Sequence, residues 1–334
     1  MTPTAPGAVS VKQRWTVRSF ATTRASQIGI TAAFIVLWLG FIFFAPETFL
    51  SGRIYTSFAQ TTSYFAIPAL ALTMVIVSGD IDLSFPSIMA LGMVGFVAVE
   101  RTTGNVELAI LAALTVGALA GLFNGVIVTV IGIPALVVTI GTQFLYRGLA
   151  LVLVSGRTYP LVETRDAVGY ELLVGRLGGV PMQFVWLMIA TIGTWFLLYR
   201  HRLGQNAHVI GDNRQAAELM GIPIKRTRTI LFVLTGIASA MAGVMISLQV
   251  TNYYPSIGSG FLLPTLAAVF VGGTSVFGGR GTVWGTFIGA FMIGGIRAGI
   301  VAAGLTEFYT DLIYGAIILI AVSTHAVLQR KFER

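Results

Sequence analysis

The 334-residue chain contains no cysteine. That excludes disulfides and thiolate metal sites, and it leaves the redox compartment unread. Charge is scarce as well. Asp, Glu, Lys and Arg make up 10% of the residues against 55% hydrophobic ones, where a soluble domain carries about 25% charged residues. So large a deficit excludes a soluble globular domain and makes lipid the solvent for most of the surface. The chain also lacks a Gly-x-x-x-x-Gly-Lys-Ser/Thr stretch, and the glycine-rich segment 272–281 is not followed by the lysine such a stretch needs. No phosphate-cradling loop can be built here. The three histidines, His201, His208 and His325, have no second ligand at metal spacing, so the sequence offers neither a metal site nor a catalytic triad.

What is present is apolar and periodic on the scale of a bilayer. A spanning helix needs about 20 mostly apolar residues. Ten such runs can be marked: 27–44, 58–77, 85–99, 106–130, 134–154, 184–199, 230–248, 261–277, 283–302 and 308–328. The third, sixth and eighth are short, and the eighth contains Pro264 and a Gly-Gly pair, so these three are expected to be broken or re-entrant. The fold class is all-α and polytopic. The net charge of +8 does not point to nucleic acid, because the basic residues gather at helix ends and in one loop, as membrane topology requires. With the N-terminus inside, the inner side holds Lys12, Arg14, Arg18, Arg24, Arg200, Arg202, Arg214, Lys225, Arg226, Arg228, Arg280, Arg330, Lys331 and Arg334. The outer side holds only Arg53, Arg101, Arg157, Arg165 and Arg176. Both termini fall inside. No small-residue cleavage site follows the first run, so residues 1–26 read as a cytosolic tail, 27–328 as the membrane domain and 329–334 as a second tail.

Two loops are long. The outer one, 156–183, mixes charge with Gly and Pro. The cytosolic one, 200–229, carries a helix signature: Asp212 or Asn213 to cap, Gln215-Ala216-Ala217-Glu218-Leu219-Met220 to form turns, and Gly221 and Pro223 to stop. The pattern predicts a two-turn helix over 214–220 with Ala216, Leu219 and Met220 on an apolar side. A weak internal symmetry relates Gly79-Asp80-Ile81-Asp82-Leu83-Ser84 to the glycine-rich 272–279, each opening a glycine-containing span. An offset of five spans makes the repeats inverted, and inverted repeats place a solute path at their interface.

These residues resemble a family. Gly79–Ser84 is similar to the Gly-Ile-Asp-Leu-Ser signature of ribose-type ABC importer permeases. Gly121–Gly125, Ile133–Thr142 and Arg147–Ala150 resemble the stretches that follow it. Asn213–Ile222 resembles the coupling segment, and Leu263–Thr274 with Gly278–Thr282 the late glycine-rich stretch. The likeness covers about residues 45–325 in order. Phe85 and Pro86 depart from it, standing where the family often has Val and Gly. The resemblance implies an inner-membrane permease subunit, itself without cofactor, that moves a small polar solute such as a monosaccharide. It also implies a second permease copy, an external solute-binding protein, and a separate cytosolic ATPase with two nucleotide sites that binds ATP and magnesium. Gln215-Ala216-Ala217 followed by Gly221 has the spacing of the coupling motif, with Gln in place of Glu. Arg214, Gln215, Ala216, Ala217, Glu218, Leu219 and Gly221 are then the ATPase-coupling residues, against the plainer reading of a solvated loop.

Other polar residues carry two readings each. A carboxylate at the bilayer centre costs at least about 2.5 kcal/mol, so Asp80 and Asp82 are functional or interfacial; Asp82 suits helix capping better than ion coupling. Arg147 and Arg297 must snorkel or find acceptors, which favours structural or gating roles. Phe65, Asn124, Thr139, Thr142, Gln143, Gln249, Asn252, Tyr253 and Thr265 are candidates for the pathway, although polar residues inside spans more often bridge helices. The outer loop, with 51–56 and 252–260, is the expected landing surface for the binding protein. Alternative solutes are branched-chain amino acids or a signalling furanose. Ion-coupled secondary transport and a non-transporting scaffold are the alternatives of a different class.

Overall fold

The computed structural model describes residues 17–302, 304, 306 and 308–332, with side chains described for 27–302, 304, 306 and 308–323. Most of the expected N-terminal tail and the last two residues lie outside this set. Helix α1 (Val17–Phe44) begins inside the expected tail, and only its portion 27–44 is apolar enough to span.

Among the described residues, eight helices are long and apolar enough to cross a membrane. They comprise that part of α1 and seven further segments. These are α3 (Gly52–Val77), α4 (Phe85–Thr103), α5 (Val106–Val126) with its π-helical extension 127–131, α6 (Ala135–Leu153), α8 (Met182–Tyr199), α11 (Ile224–Gln249) and α13 (Val283–Ala302). The short helix α2 (Pro46–Phe49) lies between α1 and α3. Two shorter apolar segments, α12 (Leu262–Val271) and residues 308–323 of α14 (Phe308–Phe332), complete the set. The third and sixth apolar runs are therefore unbroken helices of 19 and 18 residues. Helix α4 outruns its apolar stretch by the polar turn Glu100–Thr103 and ends at Gly104, left-handed, whose N–H donates to the Glu100 carbonyl at 2.7 Å. The eighth run is interrupted as expected: α12 stops at Gly272, and a non-helical glycine segment leads to α13.

Helix α3 is the spine. Every residue from Thr62 to Val77 is buried, as befits a helix surrounded by protein rather than lipid. Helix α11 packs along α5 and crosses α4 and α3. The α5–α11 seam is closed by small residues, the usual means of helix association in lipid. A Cβ on Gly121 would sit 2.3 Å from the Phe232 carbonyl oxygen, and one on Gly236 would sit 2.1 Å from that of Gly117. Gly236→Leu must push the two backbones apart. Overpacking of this kind costs about 3 kcal/mol, and a clear drop in the melting temperature of the detergent-solubilised protein checks it.

At one end of the bundle the segment 156–181 folds into a small cap. Strand β1 (Tyr159–Pro160) pairs antiparallel with β4 (Asn252–Tyr253), α7 (Val168–Val174) follows, and β2 (Arg176–Leu177) turns back on β3 (Val180–Pro181). The cap is fastened by the Arg101 guanidinium over the Tyr159 ring, by Tyr159 stacked on Tyr253, and by the Gly169 N–H donated to Glu107 Oε1 at 2.9 Å. At the opposite end lie α9 (Arg202–Asp212) and α10 (Arg214–Leu219), which pack on each other; α9 also rests against α3, α8 and α11.

Candidate coupling and translocation site

Helix α10 forms where the sequence places it. The Asn213 side chain accepts the Ala216 N–H at 3.0 Å, and Gly221 at φ 71° turns the chain out of the helix. The apolar side is divided differently from the expectation. Ala217 is fully buried against the bundle, while Leu219 is 91% exposed and Met220 68% exposed. Arg214, Gln215 and Glu218 are exposed and Ala216 is half-buried. The result is a compact knob anchored by alanine, with two large apolar side chains turned outward.

Below it, α9 is amphipathic, with Leu203, Ala207 and Ile210 buried. His208 lies on this helix beside the Tyr199 ring, and its Nδ1 is 3.0 Å from the Gly204 carbonyl, which the N–H of the neutral ring can meet. Burial pushes its pKa below the ordinary histidine range, and the Gly204 carbonyl offsets only part of that. The folded state thus disfavours the proton, and unfolding takes one up. This contribution to stability is full above the unfolded value near pH 6.5 and is lost as the pH falls from there toward the lower folded value. The melting temperature should fall between about pH 7.5 and pH 5, and His208→Gln should flatten that dependence.

Residues 78–84 are not helical. They run from the end of α3 into the bundle, partly buried in protein and partly lining a cavity, the settings in which irregular backbone is tolerated at membrane depth. Asp80 opens the segment and is only 6% exposed. Arg228, in the first turn of α11, grips it with both arms of its fork: Nε donates to Oδ2 and Nη2 to Oδ1, each at 2.5 Å. Removing one partner of a buried pair like this costs about 3–5 kcal/mol. A cavity of about 580 Å³, lined by Asp80, Arg228, Arg214, Gly211, Pro134 and Phe277 among others, opens beside the pair.

Further along, Asp82 is fully buried. Its Oδ1 accepts both the backbone N–H (2.8 Å) and the hydroxyl (2.7 Å) of Ser84. It therefore holds the turn just ahead of α4 rather than capping the helix itself, and Ser84 makes no side-chain cap either. The chain of bonds continues inward. Asn124 donates to the Ser84 hydroxyl at 2.7 Å, and the Tyr146 hydroxyl donates to Asn124 Oδ1 at 2.9 Å. Thr139 reaches the Ile81 carbonyl at 3.2 Å. Asp82, Ser84, Asn124 and Tyr146 thus tie the extended segment to α5 and α6.

The remaining candidates fall in separate places. Thr142 is buried on α6 against the Thr139 carbonyl, and Gln143 beside it is half-buried. Gln249 accepts from Gln183 at 2.7 Å, bridging α11 and α8. Phe65 stacks on Phe261. Asn252 and Tyr253 belong to the cap, and the Tyr253 hydroxyl lies 3.4 Å from the Ala90 carbonyl. Thr265 is buried on α12 with its hydroxyl unpaired. Arg147 is a clamp: its guanidinium donates to the carbonyls of Pro255, Ile257 (2.8 Å) and Pro86 (3.1 Å). Arg297 is exposed on α13. The candidates do not converge on one cleft within the chain; Asn124 and Gln249 bridge helices, while Thr142 and Asp82 bond locally. The sequence does not single out Arg228, Tyr146 or Gln183. Arg228 had been counted only as a topology charge; its partner lies 148 residues away, and local pattern carries no sign of the pairing.

A bundle of long apolar helices with almost no sheet is the architecture of an all-α polytopic membrane protein, and comparison with known proteins gives its class. Residues 54–322 match the family model described as branched-chain amino acid transport system / permease component. The chain is 33% identical to the ribose import permease protein of Escherichia coli (strain K12) over 281 residues, covering 83% of this chain and 87% of that one. It is 32% identical to the autoinducer 2 import system permease protein of Yersinia enterocolitica over 300 residues, covering 87% and 89%, and 34% identical to its counterpart in Photorhabdus laumondii over 269 residues, covering 77% and 78%. The chain belongs to this permease family. It is a multi-pass membrane protein and the permease subunit of an ABC importer, a class whose members work with an ATPase and a solute-binding protein.

Proposed function

We propose that this chain forms the inner-membrane path for a monosaccharide-type solute and is driven through α10 by a separate cytosolic ATPase with two nucleotide sites. The observation that carries the reading is the knob. Helix α10 is short, capped and anchored through buried Ala217, yet it presents Leu219 and Met220 to solvent. Exposed apolar anchors of this kind mark docking surfaces. With no phosphate loop of its own, the chain needs nucleotide energy from outside, and α10 is the surface suited to receive it. Arg214, Gln215 and Glu218 flank the anchor as a polar rim. The basic-residue asymmetry supports a topology with α10 and both termini in the cytoplasm and the 156–181 cap outside. On that cap the charged residues Arg157, Glu163, Arg165, Asp166, Glu171 and Arg176 are all exposed, as a docking rim for a binding protein requires. A second copy of the permease completes the path. The candidates of this chain do not line one cleft, which fits a path shared between copies. The ribose and autoinducer 2 named for the relatives favour a sugar-like solute over an amino acid.

Because the chain has no cysteine, a single Leu219→Cys is a clean probe. The residue should cross-link to the ATPase subunit in native membranes. Cross-linking that stays absent while cysteines on the cap react with that subunit would defeat the reading.

A further inference from the structure

The pairing of Asp80 with Arg228 sits at a junction of three backbones. The end of α3, the end of α9 and the glycine segment after α12 meet with no side chains between them. The Gly279 N–H donates to the Val77 carbonyl at 2.9 Å. A Cβ on Gly211 would lie 1.9 Å from that same carbonyl oxygen and 2.6 Å from the Gly279 nitrogen, and one on Gly278 would lie 3.0 Å from both the Gly211 oxygen and the Gly79 Cα. Contacts this close transmit displacement because they leave no slack. Helix α10 follows α9 directly, so Gly211 stands just ahead of the knob. On its other side α10 leads through Gly221 and Pro223 into α11, whose first turn carries Arg228. Both flanks of α10 therefore converge on residues 77–80: the preceding one through the glycine junction, the following one through the bidentate ion pair.

We propose that the Asp80–Arg228 pair is the joint that carries movement of α10 into the membrane domain. Resting on the coupling reading above, it makes these two charges positioning residues for transport. The extended segment 80–84 is the output arm. It leads from Asp80 to Asp82 and Ser84, and through Asn124 and Tyr146 it holds α5 and α6. A fork bonded to both carboxylate oxygens fixes orientation as well as distance. A single neutral hydrogen bond at the same site would let the arm lag behind α11.

The test uses the assembled complex of this chain with its ATPase subunit in lipid nanodiscs, with ATP and magnesium as the probe. Leu136 lines the cavity beside the pair and is 48% exposed, so Leu136→Cys gives a single reporter whose maleimide labelling rate reads movement of the output side. In the otherwise native complex, ATP should change that rate by roughly tenfold, the size of an ordinary coupling between two sites. Asp80→Asn should abolish the change while the Leu219→Cys cross-link and ATP hydrolysis persist. Asp80→Arg combined with Arg228→Asp should restore it. A full response in Asp80→Asn, or no response in an assembled charge-swapped complex, overturns the joint. Failure of both variants to assemble also overturns it, because the pair would then be a folding element. If the native complex gives no response but keeps the Leu219 cross-link, the joint alone fails. If the cross-link is lost too, the coupling reading itself fails.

Discussion

Replacing Leu219 with glutamate should abolish ATP-driven uptake while leaving the permease folded and inserted. The side chain is 91% exposed, and a surface substitution of this kind changes stability by no more than about 0.5 kcal/mol. Its expected effect lies in docking. A central apolar anchor of a protein interface is worth about 2–3 kcal/mol, which corresponds to roughly 30- to 150-fold in affinity. A buried carboxylate left without a partner adds a desolvation cost to the lost contact. The ATPase subunit should therefore fail to co-purify with the variant, and uptake should fall to background. Ala217→Glu is the informative contrast. Ala217 is fully buried beneath the knob, so glutamate there must lift α10 off the bundle. It too should end uptake, but with a lowered melting temperature. Loss of uptake with unchanged stability for Leu219→Glu, and loss of both for Ala217→Glu, separates docking from anchoring.

The second large effect is expected at Arg147. Its guanidinium satisfies three backbone carbonyls from two distant parts of the chain: Pro86 at the start of α4, and Pro255 and Ile257 in the connection between α11 and α12. Pro86 lies in the first turn of α4, where its carbonyl also faces the helix's own N–H ladder, but Pro255 and Ile257 lie in a non-helical connection with no such donor, and an unpaired backbone group is costly there. Hydrogen bonds to charged groups contribute about 1.5–3 kcal/mol each. Arg147→Met keeps the length and apolar stem but strands the Pro255 and Ile257 carbonyls, so a loss of about 3 kcal/mol is expected. Lysine should recover only part of it, because a single ammonium lacks the planar fork that spans separated carbonyls. Thermal unfolding in detergent reads both variants, and a methionine variant of native stability would show the clamp to be dispensable.

Much of this molecule is legible in its sequence, for identifiable reasons. Spans announce themselves because a bilayer demands about 20 apolar residues from each helix, and the ten runs correspond to eight long apolar helices and two shorter ones. Helix α10 is legible because its start and stop are local chemistry: the Asn213 cap and the Gly221 turn lie within eight residues. The interruption after α12 is legible from Pro264 and the glycine pair. What local pattern does not carry is tertiary partnership. Asp80 attracted notice as a membrane-proximal acid, yet its counter-ion lies 148 residues away and looked like one of many topology charges. Asn124 and Thr139 were read as possible solute contacts because they are polar within apolar runs. In the fold they bond Ser84 and Ile81, since a buried polar group in lipid seeks the nearest partner whether or not a solute passes. Helix α4 was read as too short for the converse reason: its last turn, Glu100–Thr103, is polar but still helical.

The account as a whole requires that this chain be a conduit that captures no energy itself. The most direct measurement is uptake of the radiolabelled solute carried by the cognate binding protein into liposomes holding the purified permease, with the ATPase subunit and ATP supplied or withheld on the side α10 faces. The expected result is uptake only when both are present, insensitive to dissipation of proton and sodium gradients. Gradient-driven accumulation by the permease alone would contradict it.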